Sequence, residues 1–562
     1  MNKPSGIIAP DPLSTSRGIS LLIITWLIYL AILGILQLCG FQLGFNVWPM
    51  GEDRDWIGFI YDGHGAKIAH LFWHYLDDRN PFSPWWWIVV SPIVKHFEWG
   101  LYAVRKCIDP YLAIITFILL DRIGRFKCRT FAFCVALVVL FWNFSAYYEQ
   151  IMWNFLGALG LTLLSIFFYC RYLDNNRLSK YDLPLSMLFY FIAIATYTLQ
   201  CGAIIAIGFL GLFRHADSET FKTRFKSTTK DVSFFLILFI LFNCIWYTVN
   251  RNGATFYALH WSTVSSQFLD SVRLFFFHSA YKSLFNFSLH DWSSWTIAGI
   301  FVVAFLGFIF VFYQAAKRNL FDGIQAPIGW AIAILLAIAL PTILVESTTT
   351  IWSPGSRSLM VQQIWQPLLY ISIIFFVANL LPIKNKQGFQ KWNLGIAALL
   401  GACAVTGGLN YNHRLVLRTH YEAVLTEGLQ KIAIPSDTDR HYFLLKIVDP
   451  TPTHDINTIC LVIPNYGKTM LHRKNAIVRA IATYPDKAFT KYWKVGFGPD
   501  NKGIVNAAPL GNDKPVAYKD VWIVFFDGEK VWVPKTINKS DFDGLQVAWQ
   551  RKKPIDQSGK QQ

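Results

Sequence analysis

The sequence predicts an α-helical polytopic membrane protein with a C-terminal mixed α/β domain outside the membrane. Three observations carry that expectation. Apolar runs recur along the chain, many of about 18 residues or more, enough to cross a hydrocarbon core about 30 Å thick. Of the 562 residues 54% are hydrophobic and only 15% are charged, with a mean hydropathy of +0.35. A soluble domain carries about 25% charge. Lys and Arg, which give a net charge of +16, gather in short loops between apolar runs. That clustering is the positive-inside signature, and it argues against reading the charge as a nucleic-acid surface.

Taken in order, the runs predict about eleven spans. They fall near Ile19–Cys39, Tyr102–Leu120, Phe131–Phe144, Ile151–Tyr169, Leu183–Leu199, Cys201–Phe213, Val232–Val249, Trp295–Tyr313, Ala326–Val345, Ile364–Leu381 and Leu394–Leu409. The run Leu183–Phe213 is too long for one ordinary span, so a hairpin broken near Gln200 is expected. With that hairpin, the basic loops Asp121–Arg129, Arg171–Lys180 and Arg214–Lys230 fall on one side. So do Lys317 and Arg318, and Lys384, Lys386 and Lys391. The positive-inside rule makes that side cytoplasmic. Residues 1–18 are then a cytoplasmic tail, and 19–410 the membrane domain with its outward loop 41–101. The expected location is the inner (plasma) membrane.

The tail loses the long apolar runs. His441–Val448, Ile459–Ile463 and Val521–Phe526 read as strands, and Asp527-Gly528 before Lys530–Val533 is a hairpin turn signal. His420–Ile432 has helical apolar spacing. Residues 411–555 are therefore expected to form an extracytoplasmic α/β domain, with 556–562 disordered. The nine cysteines are scattered, and no CxxC or paired Cys/His spacing suggests zinc. The sequence holds no Gly-rich phosphate loop.

The stretch Gly51–Trp99 carries the chemistry. It places Glu52, Asp53, Asp55 and Asp62 just after the first apolar run. Charge beside a bilayer is costly and tends to serve a function. A carboxylate in a low-dielectric cleft has a raised pKa and can act as a general base. Such carboxylates can also hold a divalent ion, Mg or Mn, that grips a phosphate; spacing does not separate the two roles. The plainer reading is a solvated loop with an aromatic belt. Lys67–Leu76 has the spacing of a helix lying in the headgroup plane. His64, His70 and His74 are better read as interfacial histidines than as metal ligands, because no Glu follows His70 as in HExxH. Arg357, in Trp352–Arg357, is the only basic residue of its outward loop. Its planar guanidinium suits a lipid-linked phosphate, and a snorkelling arginine is the plainer alternative. Arg251 is a weaker candidate of the same kind. Glu149 reads as an ordinary loop carboxylate.

The chain resembles the C-type (GT-C) integral-membrane glycosyltransferases. The likeness rests on the acidic residues after the first span, with Glu52-Asp53 or Asp55 as the acidic pair. It rests also on the interfacial stretch Lys67–Leu76 and on Ser83-Pro84 and Ser91-Pro92 before the second span. It covers roughly Ile19–Leu409. What the resemblance implies is a polyprenyl-phosphate-sugar donor, a surface glycan or lipid-linked acceptor, and transfer at the outer face, in contact with membrane lipids. One of Glu52, Asp53 and Asp55 would be the base, and Arg357 would stabilise the leaving phosphate. Two rivals stand beside this reading. A transporter or flippase for a lipid-linked glycan would need charged residues along a path within helices, and the predicted spans hold almost none. A non-catalytic cell-envelope scaffold would tolerate loss of the loop carboxylates.

Overall fold

The computed structural model describes residues 12–39, 100–124, 128–142, 152–214, 220–249, 262, 264–273, 294–318 and 320–321. It further describes 339–341, 343–344, 347, 365–380, 386–432, 441–447, 476–480, 493–497, 499–500, 504–509, 521–527 and 529–538. The chain divides into two compact units. One comprises Met1–Phe45 and Lys67–Asn412, the other Asn46–Ala66 and His413–Gln562.

The first unit is helical. Its elements are α1 (Pro12–Leu38), α2 (Gly100–Ile123), α3 (Arg129–Phe141), α4 (Met152–Asp174), α5 (Asp182–Thr196), α6 (Ala203–Phe213), α7 (Phe221–Val249), α8 (Val264–Arg273), α9 (Ser294–Lys317) and α10 (Trp365–Leu380). A further helix, α11 (Lys386–Lys431), begins in this unit. Among the described residues four helical stretches are long and apolar enough to cross a membrane: Thr15–Leu38, Phe221–Ile245, Trp295–Lys317 and Lys391–Leu409. Shorter apolar helices accompany them at Arg129–Phe141, Asp182–Thr196, Gln200–Phe213 and Gln366–Val377. The chain is thus a multi-helical membrane protein, and the expected span near Ala326–Val345 lies mostly outside the described residues.

Packing in this unit is close and aromatic. Every residue from Arg129 to Leu140 is buried, so α3 is the central rod. Phe131 meets Phe375 of α10 edge-on with ring centroids 5.4 Å apart, Phe133 meets Phe117 of α2 at 6.1 Å, and Phe141 meets Tyr29 of α1 at 5.0 Å. Such edge-to-face pairs add to the area they bury. Small residues let the helix axes approach. A methyl group on Gly160 would run into the Tyr111 ring, and one on Gly401 into Phe308. Tight approach through glycine is how membrane helices pack where lipid offers no hydrophobic drive.

The hairpin expected near Gln200 is present, and both of its arms are short. α5 has 15 residues and α6 has 11, which is about 22 Å and 16 Å of helix. A full crossing takes about 20 residues. A 3₁₀ turn, Thr198–Gly202, joins them. Both outer ends lie together, because Arg214 after α6 bonds Asp174 at the end of α4, and Asn175 bonds Asp182 at the start of α5. The chain therefore enters and leaves from one end and turns back within the bundle. Backbone that departs from α-helix at such depth survives only when shielded by protein. Here Gln200 is fully buried and Thr162 of α4 donates to its Oε1 at 2.9 Å.

In the second unit β1 (His441–Ile447) lies between β2 (Ala476–Ala480) and β5 (Val521–Phe526), parallel to both, and β6 (Val531–Trp532) runs antiparallel on the edge of β5. β5 reads Val-Trp-Ile-Val-Phe-Phe, and Ile523, Val524, Phe525 and Phe526 are all buried. A run apolar on both faces suits a strand within a mixed sheet covered on both sides. A separate pair, β3 (Trp493–Phe497) and β4 (Ile504–Pro509), is antiparallel with an irregularity at Gly496/Phe497. The Asp527 carboxylate accepts from the backbone N–H groups of Glu529 and Lys530 at 3.0 and 2.9 Å and closes the β5–β6 turn. Slight burial pushes this carboxyl up, but those two donors and the Lys530 charge outweigh it and hold the pKa below the usual aspartate value. The end of α11 packs on β6, where Gly428 leaves no room for a Cβ beside Val531.

Candidate functional site

The end of the bundle where α2, α4 and α6 finish is bound by ion pairs. Asp174 takes Arg122 at 2.6 Å and Arg214 at 2.7 Å, and Arg214 also donates to the carbonyl of Arg122 at 2.8 Å. Asp121 accepts from Arg129 at 3.3 Å and from the Thr15 hydroxyl at 3.2 Å. Asp182 pairs with Arg171 at 3.5 Å. Asp231, near the start of α7, takes Arg177 at 3.3 Å and the Tyr169 hydroxyl at 3.1 Å. Arg224 reaches the carbonyl of Leu212 at 2.6 Å. Asp121, Arg129, Asp182, Arg214 and Asp231 are all buried. Buried charges persist when paired and hydrogen-bonded. Burial is the largest influence on Asp121 and raises its pKa above the ordinary aspartate value, against the pull of Arg129, Thr15 and Arg122.

The turn between α4 and α5 uses unusual backbone. Asn176 and Arg177 both have left-handed φ, 52° and 61°. That conformation is uncommon outside glycine, with asparagine among the residues that tolerate it. It aims Arg177 across the helix ends at Asp231. These pairs are the polar constellation that the sequence reading missed. A signal was available: Asp121, Asp174, Asp182 and Asp231 are isolated acids within otherwise basic segments. Their partners lie up to 106 residues away, and no local pattern names them.

These contacts fix helix polarity. α1 begins and α2 ends at the ion-paired end, joined by Thr15 and Asp121. α1 therefore finishes, and α2 starts, at the opposite end. α7 starts at the ion-paired end through Arg224 and Asp231 and finishes opposite. α10 runs against α3: its Phe375 meets Phe131, while its Tyr370 lies 6.3 Å from Trp142. So α10 starts at the opposite end too.

The sequence-predicted site residues Glu52, Asp53, Asp55, Asp62, Arg251 and Arg357 lie outside the described residues, as do His64, His70, His74 and Glu149. The described helices set which end of the bundle their flanking chain leaves from. The segment holding the four carboxylates follows α1 and precedes α2, Arg251 follows α7, and Arg357 precedes α10. All three attachments are at the end opposite the ion pairs. Among the described residues no cluster of three or more His, Cys, Asp or Glu side chains is arranged to hold a metal ion.

The chain is similar to solved membrane-protein structures. One is ArnT from Cupriavidus metallidurans in the apo state, with 10% identity, a TM-score of 0.42 and coverage of 84% of this chain and 93% of that one. The same protein bound to undecaprenyl phosphate gives 10% identity and a TM-score of 0.39, over 86% and 93% of the two chains. The archaeal oligosaccharyltransferase AglB from Archaeoglobus fulgidus, in complex with an inhibitory peptide and a dolichol-phosphate, gives 11% identity, a TM-score of 0.37, and coverage of 82% and 64%. At such low identities and TM-scores these structures assign no residue a role and fix no substrate. No family model and no curated protein matches the chain by sequence.

Proposed function

We propose that the chain is a membrane glycosyltransferase that moves a sugar from a polyprenyl-phosphate donor to an extracytoplasmic glycan or a lipid-linked acceptor. The observation that supports it best is the helix polarity. The chain around α1 and α2, after α7 and before α10 departs from one end of the bundle, and those departures carry every acid and arginine singled out for chemistry. In this reading 19–410 is the membrane domain and 411–555 a domain on the outer side, with the ion-paired end and the N-terminus facing the cytoplasm of the inner membrane. One of Glu52, Asp53 and Asp55 accepts the proton of the acceptor hydroxyl as it attacks the anomeric carbon. The bond from that carbon to the lipid phosphate breaks, and Arg357, with Arg251 as the weaker candidate for the same role, meets the charge that develops on the leaving phosphate. Asp62 completes the acidic set, and the carboxylates have the oxygen chemistry for Mg or Mn.

A second reading, a flippase for lipid-linked glycans, draws on the re-entrant α5–α6 pair, since transporters build sites on broken helices. Its weakness is the lining: at the turn the Gln200 oxygen is already taken by Thr162, and the buried charges of the described residues gather at the ion-paired end of the bundle.

The test is sugar transfer from a polyprenyl-phosphate donor in purified membranes. Asp53→Asn or Asp55→Asn should lower the rate about 10²–10⁴-fold with protein level unchanged, the usual loss for a missing general base. Arg357→Lys should weaken donor use more than acceptor use, because it keeps charge and loses the planar fork. Full activity after joint neutralisation of Glu52, Asp53 and Asp55 would overturn the reading.

A further inference from the structure

α7 has 29 residues, about 43 Å of helix, while its apolar part from Val232 to Val249 covers about 27 Å. The first ten residues, Phe221–Lys230, therefore project past the hydrocarbon into the headgroup layer and beyond. Within them Lys222, Lys226 and Lys230 are all exposed. At about 100° per residue the three lysines lie within about 80° of arc on one face. The same arc, extended by about 20°, contains Ile237, Ile240 and Leu241. Each of those is about half exposed, at 51%, 49% and 52%. One continuous face thus changes from aliphatic to cationic, with Lys230 about 10 Å along the axis from Ile237.

The neighbouring ridge adds two aromatic rings. Phe221 and Phe225 are exposed at 59% and 55%, with ring centroids 6.2 Å apart. On a helix surface in the interface, phenylalanine rings insert at the headgroup–acyl boundary. Among the described residues none of the three lysines has an ion-pair partner. The only carboxylate on this part of α7, Asp231, is taken by Arg177 and Tyr169, and Lys230 acts on it only through space. The buried Arg224 turns the other way, to the Leu212 carbonyl. Three ammonium groups above an exposed aliphatic strip match one chemistry: an anionic headgroup on two acyl chains.

We infer that this face of α7 is a docking stripe for an anionic phospholipid of the leaflet at the ion-paired end. Acyl chains lie on Ile237, Ile240 and Leu241, the phosphodiester meets Lys226 and Lys230, and Lys222 and the two phenylalanines bound the headgroup. Juxtamembrane basic clusters attract anionic lipid in this way.

The test uses the detergent-purified full chain and native mass spectrometry with added phosphatidylglycerol or phosphatidylcholine. The wild type should retain phosphatidylglycerol in preference. The triple variant Lys222→Gln, Lys226→Gln, Lys230→Gln should lose at least about tenfold of that preference, given the worth of each basic residue near an anionic surface. Lys222→Arg, Lys226→Arg, Lys230→Arg should keep it. Equal preference in the glutamine variant and the wild type overturns the inference, and so does displacement of the lipid by inorganic phosphate alone. A second measurement leaves the chain unaltered: a photoactivatable phosphatidylglycerol should label the peptide spanning residues 221–241, and labelling confined to other helices overturns it equally.

Discussion

The ion-paired end of the bundle and the turn at Thr198–Gly202 are both polar, both buried and both contact α4, yet they are built from different chemistry. At the end, aspartate and arginine pair across helices, as in Asp174 with Arg122 and Arg214. At the turn, the polar contact is neutral: a threonine hydroxyl on a glutamine oxygen. The difference follows depth. A charge needs a partner and nearby water or headgroups to be tolerable, whereas a neutral amide oxygen can be satisfied by one well-placed hydroxyl. Charged pairs fix which helix ends meet, and neutral groups let the chain reverse where no ion would survive.

The comparison breaks most readily at Arg214. Arg214→Ala removes both hydrogen bonds to Asp174 and the one to the Arg122 carbonyl. Breaking a fully buried pair costs about 3–5 kcal/mol; Asp174 is half-buried and keeps Arg122, so the loss should fall toward the lower end of that range, seen as a drop in the thermal midpoint of detergent-purified protein. Replacing Arg122, Asp174 and Arg214 together by Met, Leu and Met should recover most of that loss, since apolar groups of similar volume often match a buried ionic set. If the triple variant is worse than Arg214→Ala, the end needs charge for more than holding helices together.

A middle-sized effect is expected where the two regions meet. Gly211, on α6 just below Arg214, would bring a Cβ within 2.6 Å of the Thr228 hydroxyl oxygen and 2.7 Å of the Tyr169 hydroxyl. Gly211→Ala should cost about 1–3 kcal/mol by overpacking, and it should loosen the Tyr169 bond to Asp231. A thermal midpoint unchanged from wild type would show that the hairpin arm is free to shift.

The smallest effect belongs to the turn. Thr162→Val leaves Gln200 Oε1 without its donor, and interhelical hydrogen bonds in membranes average only about 0.6 kcal/mol. The shift should be barely above error in the same assay. A loss as large as that of Arg214→Ala would erase the distinction between the two regions.

How far the sequence foretold this can be judged element by element. Apolar runs located the helices because lipid demands nothing subtler than length and hydropathy. The helix ends escaped: α4 continues past Tyr169 to Asp174 because Arg122 and Arg214 recruit that carboxylate. The last span and the helix expected at His420–Ile432 are one element, α11, since nothing between Leu409 and His420 breaks a helix. Strands β1, β5 and β6 were legible through alternation, apolar runs and the Asp527 turn. β2, β3 and β4 were not, although Gly498-Pro499-Asp500-Asn501 between β3 and β4 is itself a turn signal. For the chemistry the sequence offers the loop carboxylates and Arg357, and the described helices add the polarity of the segments that flank them.

The short arms of the hairpin bear on how the protein is made. Neither α5 nor α6 has the length to be released into a bilayer as a finished span. Both flank a turn whose buried amide needs Thr162 of α4. A nascent chain emerging with Asp182–Phe213 thus has no reason to hand it to lipid alone. α4 precedes the pair in the chain and is already made when the pair emerges, so the segment enters the membrane by packing on α4, and its membrane entry and its folding are one event.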